Sequence, residues 1–267
     1  MEIKIAIACH RQCPVPKNDI FVPIHVGHAL RPALDLGFQS DDCGDNISAL
    51  NNSLCELTAI YWIWKNLKAD YKGLFHYRRY LTLSYSLEAY GRKLIFKARR
   101  KPVMPVVKLS KVDDFMRRAG KFADSCPSIL AKYDILAADR MNNRQSNERF
   151  FGKVVERYLP LMKEAITRLF PQYEGQMNST LRSGKLHFAN MSVMRSDIFD
   201  EYCTFIFGVL FEIRRLVIAS ESVEFIEDMD NRKLGYVAEL LTSIFISYKE
   251  SHGTKVKTMP VTFLKTV

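Results

Sequence analysis

Tyr71-Lys-Gly-Leu-Phe-His-Tyr-Arg-Arg-Tyr80 is the stretch on which the fold reading turns. Gly73 to Phe75 read as a short buried strand, and His76, Tyr77, Arg78 and Arg79 follow at its far end. An apolar strand ending in such a cluster matches the way open α/β sheets set ligand-binding groups beyond the carboxyl ends of their strands. Just upstream, Leu57, Ile60, Tyr61, Trp64 and Leu67 recur at helical spacing. Ser53, with Glu56 three residues on, fits a capping box and predicts the start of that helix. Trp62 and Trp64 are then most simply core and near-core aromatics. Helix followed by strand is the α/β pattern.

Working outward, Glu2 to Cys9 alternates and then runs apolar, as the first strand of a buried parallel sheet does. Ile20 to Val26 is a second apolar stretch, leading through Gly27 to the polar loop Ser40–Ser48. Helical spacing is expected over Ser110–Lys121, and a strand over Tyr133–Ala138. Asn147–Leu169 reads as one helix kinked at Pro160. Leu186–Met194 reads as a strand, Ser196 as the cap of a helix to about Ile218, and Lys233–Tyr248 as a last long helix. Tyr85–Val107 reads as irregular and basic, and Lys255–Val267 as a weakly alternating basic tail.

With 267 residues, 48% hydrophobic and 25% charged, the chain has an ordinary globular mix that excludes disorder and coiled coil. No Pro/Gly/Ser-rich linker divides it, so one domain over 1–267 is expected. Glu2 and Lys4 interrupt the opening, which therefore lacks the form of a signal peptide. The apolar run Tyr202–Phe211 is closed by Glu212 and Arg214, short of the roughly 20 residues a bilayer needs. Six cysteines without a Cys-x-x-Cys pair favour a reduced, cytoplasmic setting. Cys9, His10 and Cys13 have the wrong spacing for a zinc ribbon, which favours buried, inert thiols. Thirty-nine Lys+Arg against 29 Asp+Glu give a net charge of +10, and a field that draws polyanions or an acidic membrane face.

The sequence has no G-x-G-x-x-G, Walker A, G-x-S-x-G or H-E-x-x-H motif, so the common dinucleotide, ATPase, hydrolase and zincin classes lose weight. His76-Tyr77-Arg78-Arg79 is the sharpest candidate, because two guanidiniums beside an imidazole and a phenol can hold a diphosphate through charge-assisted hydrogen bonds. The plain alternative is a solvated or salt-bridged strand end. Asp41-Asp42-Cys43-Gly44-Asp45-Asn46 offers oxygen ligands and sugar-hydroxyl acceptors without calcium-loop spacing, and a capped turn is its plain alternative. Glu239 lies among Tyr236, Val237, Leu240, Leu241 and Ile244, where burial would raise its pKa. An arginine partner is the alternative there. Asp197 and Asp200 fit a helix N-terminus. Arg92–Lys101 interleaves cations with Leu94, Ile95 and Phe96, which suits a membrane surface better than nucleic acid, a solvated run being the plain reading.

Several blocks together carry a resemblance: Ala8-Cys-His10, Asp19–Gly27, Asp41–Ser48, Cys55-Glu-Leu-Thr-Ala-Ile-Tyr-Trp62, and above all Gly73-Leu-Phe-His-Tyr-Arg-Arg-Tyr80. Asn190-Met191, Phe199–Cys203 and Arg232-Lys-Leu-Gly-Tyr-Val-Ala-Glu239 extend it over nearly the whole chain. The sequence resembles a family of bacterial capsular and exopolysaccharide glycosyltransferases, formerly a domain of unknown function. That resemblance implies a GT-A-like α/β fold with a mixed, mostly parallel central sheet flanked by helices. It also implies a nucleotide-sugar half (1–140) and a helical acceptor-side half (141–267).

The implied activity is hexosyl transfer from a nucleotide-sugar donor, UDP-linked and in several members UDP-galactofuranose. The implied acceptor is a polyprenyl-linked or growing polysaccharide of capsule, exopolysaccharide or lipopolysaccharide, met peripherally at the inner face of the membrane. GT-A enzymes usually place a metal-binding Asp-x-Asp where this chain carries His76–Arg79, so transfer without a metal cofactor is expected. By the same resemblance Glu239 is the candidate base. Leu240 stands where an Arg commonly follows. His10, Asp42, Asp45 and Asn46 would edge the nucleotide pocket, and Asn190 and Arg232 would contact the acceptor. A non-catalytic basic protein that binds nucleic acid or another polyanion is the competing reading.

Overall fold

A computed structural model describes residues 1–265. Its first strands are β1 (Ile3–Cys9), β2 (Phe21–His25), β3 (Gln39–Ser40), β4 (Tyr71–His76), β5 (Arg79–Leu81) and β6 (Val106–Leu109). They are followed by β7 (Ile135–Ala138), β8 (Arg140–Asn142), β9 (Lys185–His187), β10 (Ser192–Arg195), β11 (Val256–Met259) and β12 (Val261–Leu264). The helices are α1 (Asn51–Leu54), α2 (Leu57–Asn66), α3 (Leu87–Ala98), α4 (Val112–Leu130) and α5 (Asn147–Val155). After them come α6 (Tyr158–Leu169), α7 (Glu174–Arg182), α8 (Ser196–Ala219), α9 (Val223–Asp228) and α10 (Leu234–Ser251).

The sheet runs β11-β7-β10-β4-β1-β2-β3, with β5, β6 and β12 attached beside it. Pairings along it are parallel except at β10, which is antiparallel to both β4 and β7. This is the mixed, mostly parallel sheet that the family resemblance implied. Strands from both sides of residue 140 share it, since β10 lies between β4 and β7.

Alternation along each strand divides the core in two. Ala6, Ala8, Ile24, Leu74 and Met194 face a thick helical layer built on α2, α6, α8 and α10. Ile5, Ile7, Phe75, Leu136 and Val193 face the other way, onto Phe115 and Phe122 of α4. Gly73 is required by the close approach of β10, because a Cβ there would stand 2.5 Å from the Ser192 carbonyl oxygen.

The structure corrects several element expectations. Ser53 does not cap α2: its hydroxyl donates to the Leu50 carbonyl (3.1 Å) inside α1, and the chain breaks at Cys55, φ 53°. Asn147–Leu169 is two helices that part between Val155 and Tyr158, and Pro160 sits in the first turn of the second, where its missing N–H costs nothing. Leu186–Met194 splits into β9 and β10 around Ala189, φ 56°. Ser196 opens α8 as its first residue, its hydroxyl bonding the Ala69 carbonyl. Tyr85–Val107 is not irregular, because Ser86 accepts from the Ala89 N–H (3.2 Å) and starts α3. The basic tail forms β11 and β12, its last two residues lying outside the described ones.

Candidate active site

Several chain segments meet beyond the carboxyl ends of β1, β2 and β4, where this sheet architecture places its ligands. There they line a cavity of about 530 Å³. β1 delivers Ala8 and His10, and β4 delivers His76 and the turn Tyr77–Arg79. The link between α1 and α2 brings Cys55 and Glu56, and the turn before α10 brings Asp230, Asn231 and Arg232. Arg31, in the loop after β2, completes the rim.

Two of these segments hold unusual backbone. Cys55 and Arg232 have positive φ (53° and 65°), a conformation that costs non-glycine residues energy and concentrates at functional sites. The break at Cys55 turns Glu56 away from the capping role. Its carboxylate instead accepts from the Asn190 side-chain amide at 2.9 Å. Asn190 Oδ1 in turn accepts from the Thr242 hydroxyl (3.0 Å), which pairs with the Tyr202 hydroxyl at 2.9 Å. A buried chain running inward from α8, α10 and the segment before β10 thus fixes Glu56 at the cavity wall.

The cavity is strongly cationic. Arg31, Arg78, Arg79 and Arg232 line it, and among the described residues none of the four lies within ion-pair distance of a carboxylate. Arg78 lies over the Phe263 ring at 4.9 Å, and Arg79 over Phe263 and Phe188 at 5.5 and 5.9 Å. Ring faces orient a guanidinium without neutralising it, so its donors remain open to an anion. Burial, reinforced by Arg78, pulls the Arg79 pKa down. That is the penalty of a desolvated cation awaiting a counter-charge.

Unsatisfied atoms point the same way. Among the described residues His76 Nε2 and Arg79 Nε are buried with no hydrogen-bond partner. Groups of this kind ordinarily find one, and orphans at a cavity wall mark where a ligand's polar atoms would complete them. Burial, added to by Arg79, Arg232 and Arg78 against the opposing pull of Glu56, drops the His76 pKa to about 4. The ring is therefore neutral at pH 7. Burial lowers His10 as well, with Arg11, Arg31, Arg232 and Arg78 adding to it. The His10 ring meets Tyr77 edge-on at 4.9 Å, and the Tyr77 hydroxyl accepts from Arg11 at 2.8 Å.

Glu239 is half-buried on α10 and is not among the residues that line the cavity. Burial, then the neighbouring Glu56 charge, lifts its pKa to about 8 against the pull of Arg79 and Arg232. Two nearby carboxylates share one proton more easily than they hold two charges. Glu239 therefore keeps its proton at pH 7, and Glu56 is the carboxylate that the cavity presents.

Of the residues marked out in the sequence, His10, His76, Tyr77, Arg78, Arg79 and Arg232 come together here, with Glu239 adjacent. Asn190 is 1% exposed and meets no ligand space, because both ends of its amide are spent on Glu56, the Gly235 carbonyl and Thr242. Asp42, Asp45 and Asn46 do not reach the cavity. Asp42 pairs with His28 at 2.6 Å, Asp45 accepts from the Tyr61 hydroxyl at 3.1 Å, and Asn46 donates to the Asp42 carbonyl at 3.1 Å. Asp41 is buried and binds the Gly27 and His28 N–H groups (2.9 and 3.2 Å), so the loop is the capped turn that was its plain alternative.

Arg31 and Glu56 line the cavity without being marked as site residues by the sequence. Arg31 has no sequence signal, whereas Glu56 sits in the Cys55–Trp62 block, where the helix-capping pattern hid it. Glu56 and Asp230 are the carboxylates lining the cavity, and among the described residues no three His, Cys, Asp or Glu side chains converge to hold a metal.

Residues 4–250 match the model of the family described as a domain of unknown function, DUF4422. The chain belongs to this family. It is the former domain-of-unknown-function family whose His-Tyr-Arg-Arg block stands at the end of β4. No curated protein matches. Among solved structures, WbbM, described as a bifunctional glycosyltransferase in its apo form, matches at 26% identity with a TM-score of 0.84. The match covers 100% of this chain and 46% of that one, so the chain spans about half of its relative. The fold is GT-A-like.

Proposed function

We propose that the chain is a glycosyltransferase that moves a hexosyl group from a nucleotide-sugar donor, UDP-linked, to a glycan acceptor. The observation that carries this reading is the set of four guanidiniums without a carboxylate partner, and two orphaned nitrogens, among the described residues around one cavity at the carboxyl edge of a GT-A-like sheet. The likeness to part of WbbM, described as a bifunctional glycosyltransferase, supports it. Galactofuranose as the sugar, and a polyprenyl-linked or growing polysaccharide of capsule, exopolysaccharide or lipopolysaccharide as acceptor, complete the proposal. The enzyme would work peripherally at the cytoplasmic face of the membrane.

In a single displacement the acceptor hydroxyl oxygen bonds to the anomeric carbon as the bond from that carbon to the diphosphate oxygen breaks. Negative charge gathers on the departing diphosphate. Arg78 and Arg79, joined by Arg31 and Arg232, would stabilise it as it develops, the kind of placement that contributes roughly 10²–10³ in rate per group. Neutral His76 would complete its unmet hydrogen bond on the diphosphate or sugar. The hydroxyl proton would pass to Glu56, held in place through Asn190. Glu239, the sequence candidate for base, would keep its own proton and leave the hydroxyl's to Glu56.

By the family resemblance His76–Arg79 take the place of a metal-binding Asp-x-Asp, and transfer without metal is part of the proposal. A thermal-shift panel of UDP-, GDP-, CMP- and dTDP-sugars in EDTA and in Mn²⁺ tests both parts. Stabilisation by UDP-sugars that is indifferent to EDTA is expected. A response only with Mn²⁺ overturns metal independence. No response to any nucleotide-sugar, together with salt-sensitive binding of arbitrary duplex or single-stranded nucleic acid, overturns the transferase reading.

A further inference from the structure

We infer that α3 is a membrane-docking helix that lays Leu87, Tyr90, Leu94 and Ile95 into the headgroup boundary of an anionic phospholipid surface. The helix is built inside out. Those four residues recur at i, i+3, i+7 and i+8, the spacing that normally turns an apolar stripe to a core. Here they are 94%, 54%, 50% and 50% exposed. The opposite side meets the protein, with Ala89 buried and Arg92 donating to the Val106 carbonyl at 3.4 Å. Contiguous apolar surface of this kind marks an interaction site.

Charge selects the occupant. Leu87–Lys101 carries six cations, Arg92, Lys93, Lys97, Arg99, Arg100 and Lys101, against the single carboxylate of Glu88. Among the described residues Lys97, Arg99, Arg100 and Lys101 have no carboxylate in ion-pair range. Arg144 joins them, its guanidinium donating to the Lys101 carbonyl at 3.1 Å. A second copy of the chain would set this basic segment against itself, whereas an anionic bilayer attracts it while accepting the apolar face.

The position of the helix adds an orientation. The Tyr85 hydroxyl, just ahead of α3, donates to Asp139 at 2.6 Å, immediately past the carboxyl end of β7. β7 and β4 run the same way, both antiparallel to β10. α3 therefore stands at the sheet edge that carries the cavity. On the transferase reading of that cavity, on which this clause alone rests, docking turns the site toward an acceptor held in the bilayer.

Vesicle flotation tests the inference. The full chain should float with vesicles of phosphatidylethanolamine and phosphatidylglycerol (3:1) and not with pure phosphatidylcholine, and 0.5 M NaCl should weaken the binding. Leu87→Ser/Leu94→Ser/Ile95→Ser should lose at least ten-fold in vesicle binding with an unchanged Tm, because nothing buried is altered. Arg99→Gln/Arg100→Gln/Lys101→Gln should remove the salt-sensitive part. A wild type that does not float, or an apolar triple variant that floats equally well, overturns the proposal. So does a concentration-dependent dimer that the same triple variant abolishes, since the face would then be covered by a second copy. The UDP thermal shift is read on the same proteins: its absence with flotation intact defeats the reading of the cavity and leaves α3 standing.

Discussion

Arg78–Arg79 and Arg99–Arg100 are two arginine pairs about twenty residues apart in one basic region of the chain, and the fold gives them opposite surroundings. The first pair ends a strand whose apolar residues, Leu74 and Phe75, are buried, so the guanidiniums are drawn over aromatic rings at a cavity wall. The second pair ends a helix whose apolar residues face out, so its charges stand in solvent beside an exposed apolar stripe. Net charge alone does not separate the two. The role of a cation is set by where its apolar neighbours go, because desolvation strengthens the first pair's hold on an anion and leaves the second pair a screened, long-range attraction.

The sharpest break of that contrast is kinetic. Arg79→Gln should lower kcat/KM for the nucleotide-sugar by about 10²–10³, while Arg100→Gln assayed away from membranes should leave it unchanged within two-fold. Equal losses would mean that both pairs serve the donor. Next in size, Glu56→Gln should lower kcat by about 10²–10³ with KM for the donor little changed, as expected when a positioned base is removed. Glu239→Gln should cost no more than about ten-fold at pH 7, since Gln mimics the protonated acid. The reverse order would return the base to Glu239.

Two glycines carry the comparison into stability. Gly73→Ala forces a methyl against the Ser192 carbonyl and should cost about 1–3 kcal/mol by denaturant unfolding. Gly91→Ala, on α3 with open space around it, should stabilise by about 0.5–1 kcal/mol. A neutral Gly73→Ala would mean that β10 and β4 lie farther apart than described.

The last effect is one of pH. With the Glu239 pKa near 8 in the folded chain and about 4.3 in the unfolded one, the folded state holds the extra proton between those values. The contribution of this group is therefore fully present below the lower value and is lost as pH rises through the upper one. The Tm of Glu239→Gln relative to wild type should rise from pH 5 to pH 8. A constant difference would mean that Glu239 ionises normally.

The sequence made the scaffold legible wherever an apolar period ran without interruption. Glu2–Cys9, the block around Trp62–Trp64 and Lys233–Tyr248 all became the strand or helices expected of them. Two kinds of residue escaped. α3 was hidden because its apolar spacing is cut by cations and serves no core, so the pattern that announces a buried helix was read as irregular chain. Glu56 was hidden because a capping box and a cavity carboxylate share the same local sequence, and only the backbone reversal at Cys55 decides between them. Asp42, Asp45 and Asn46 stand outside the cavity for the converse reason: a loop rich in oxygen atoms can turn them to its own backbone and neighbouring side chains. Asn190 was noticed, yet its contact is with Glu56, which no spacing 134 residues long could show.

Calorimetric titration of uridine and of UDP in EDTA, with wild type and with Arg78→Gln/Arg79→Gln, tests the central claim most directly. If the guanidiniums grip the diphosphate, UDP binds wild type at least a hundred-fold more tightly than uridine does, and the double variant loses most of that difference while keeping its affinity for uridine. Equal affinities for the two ligands in wild type, or a double variant that holds UDP as tightly as wild type, would contradict it.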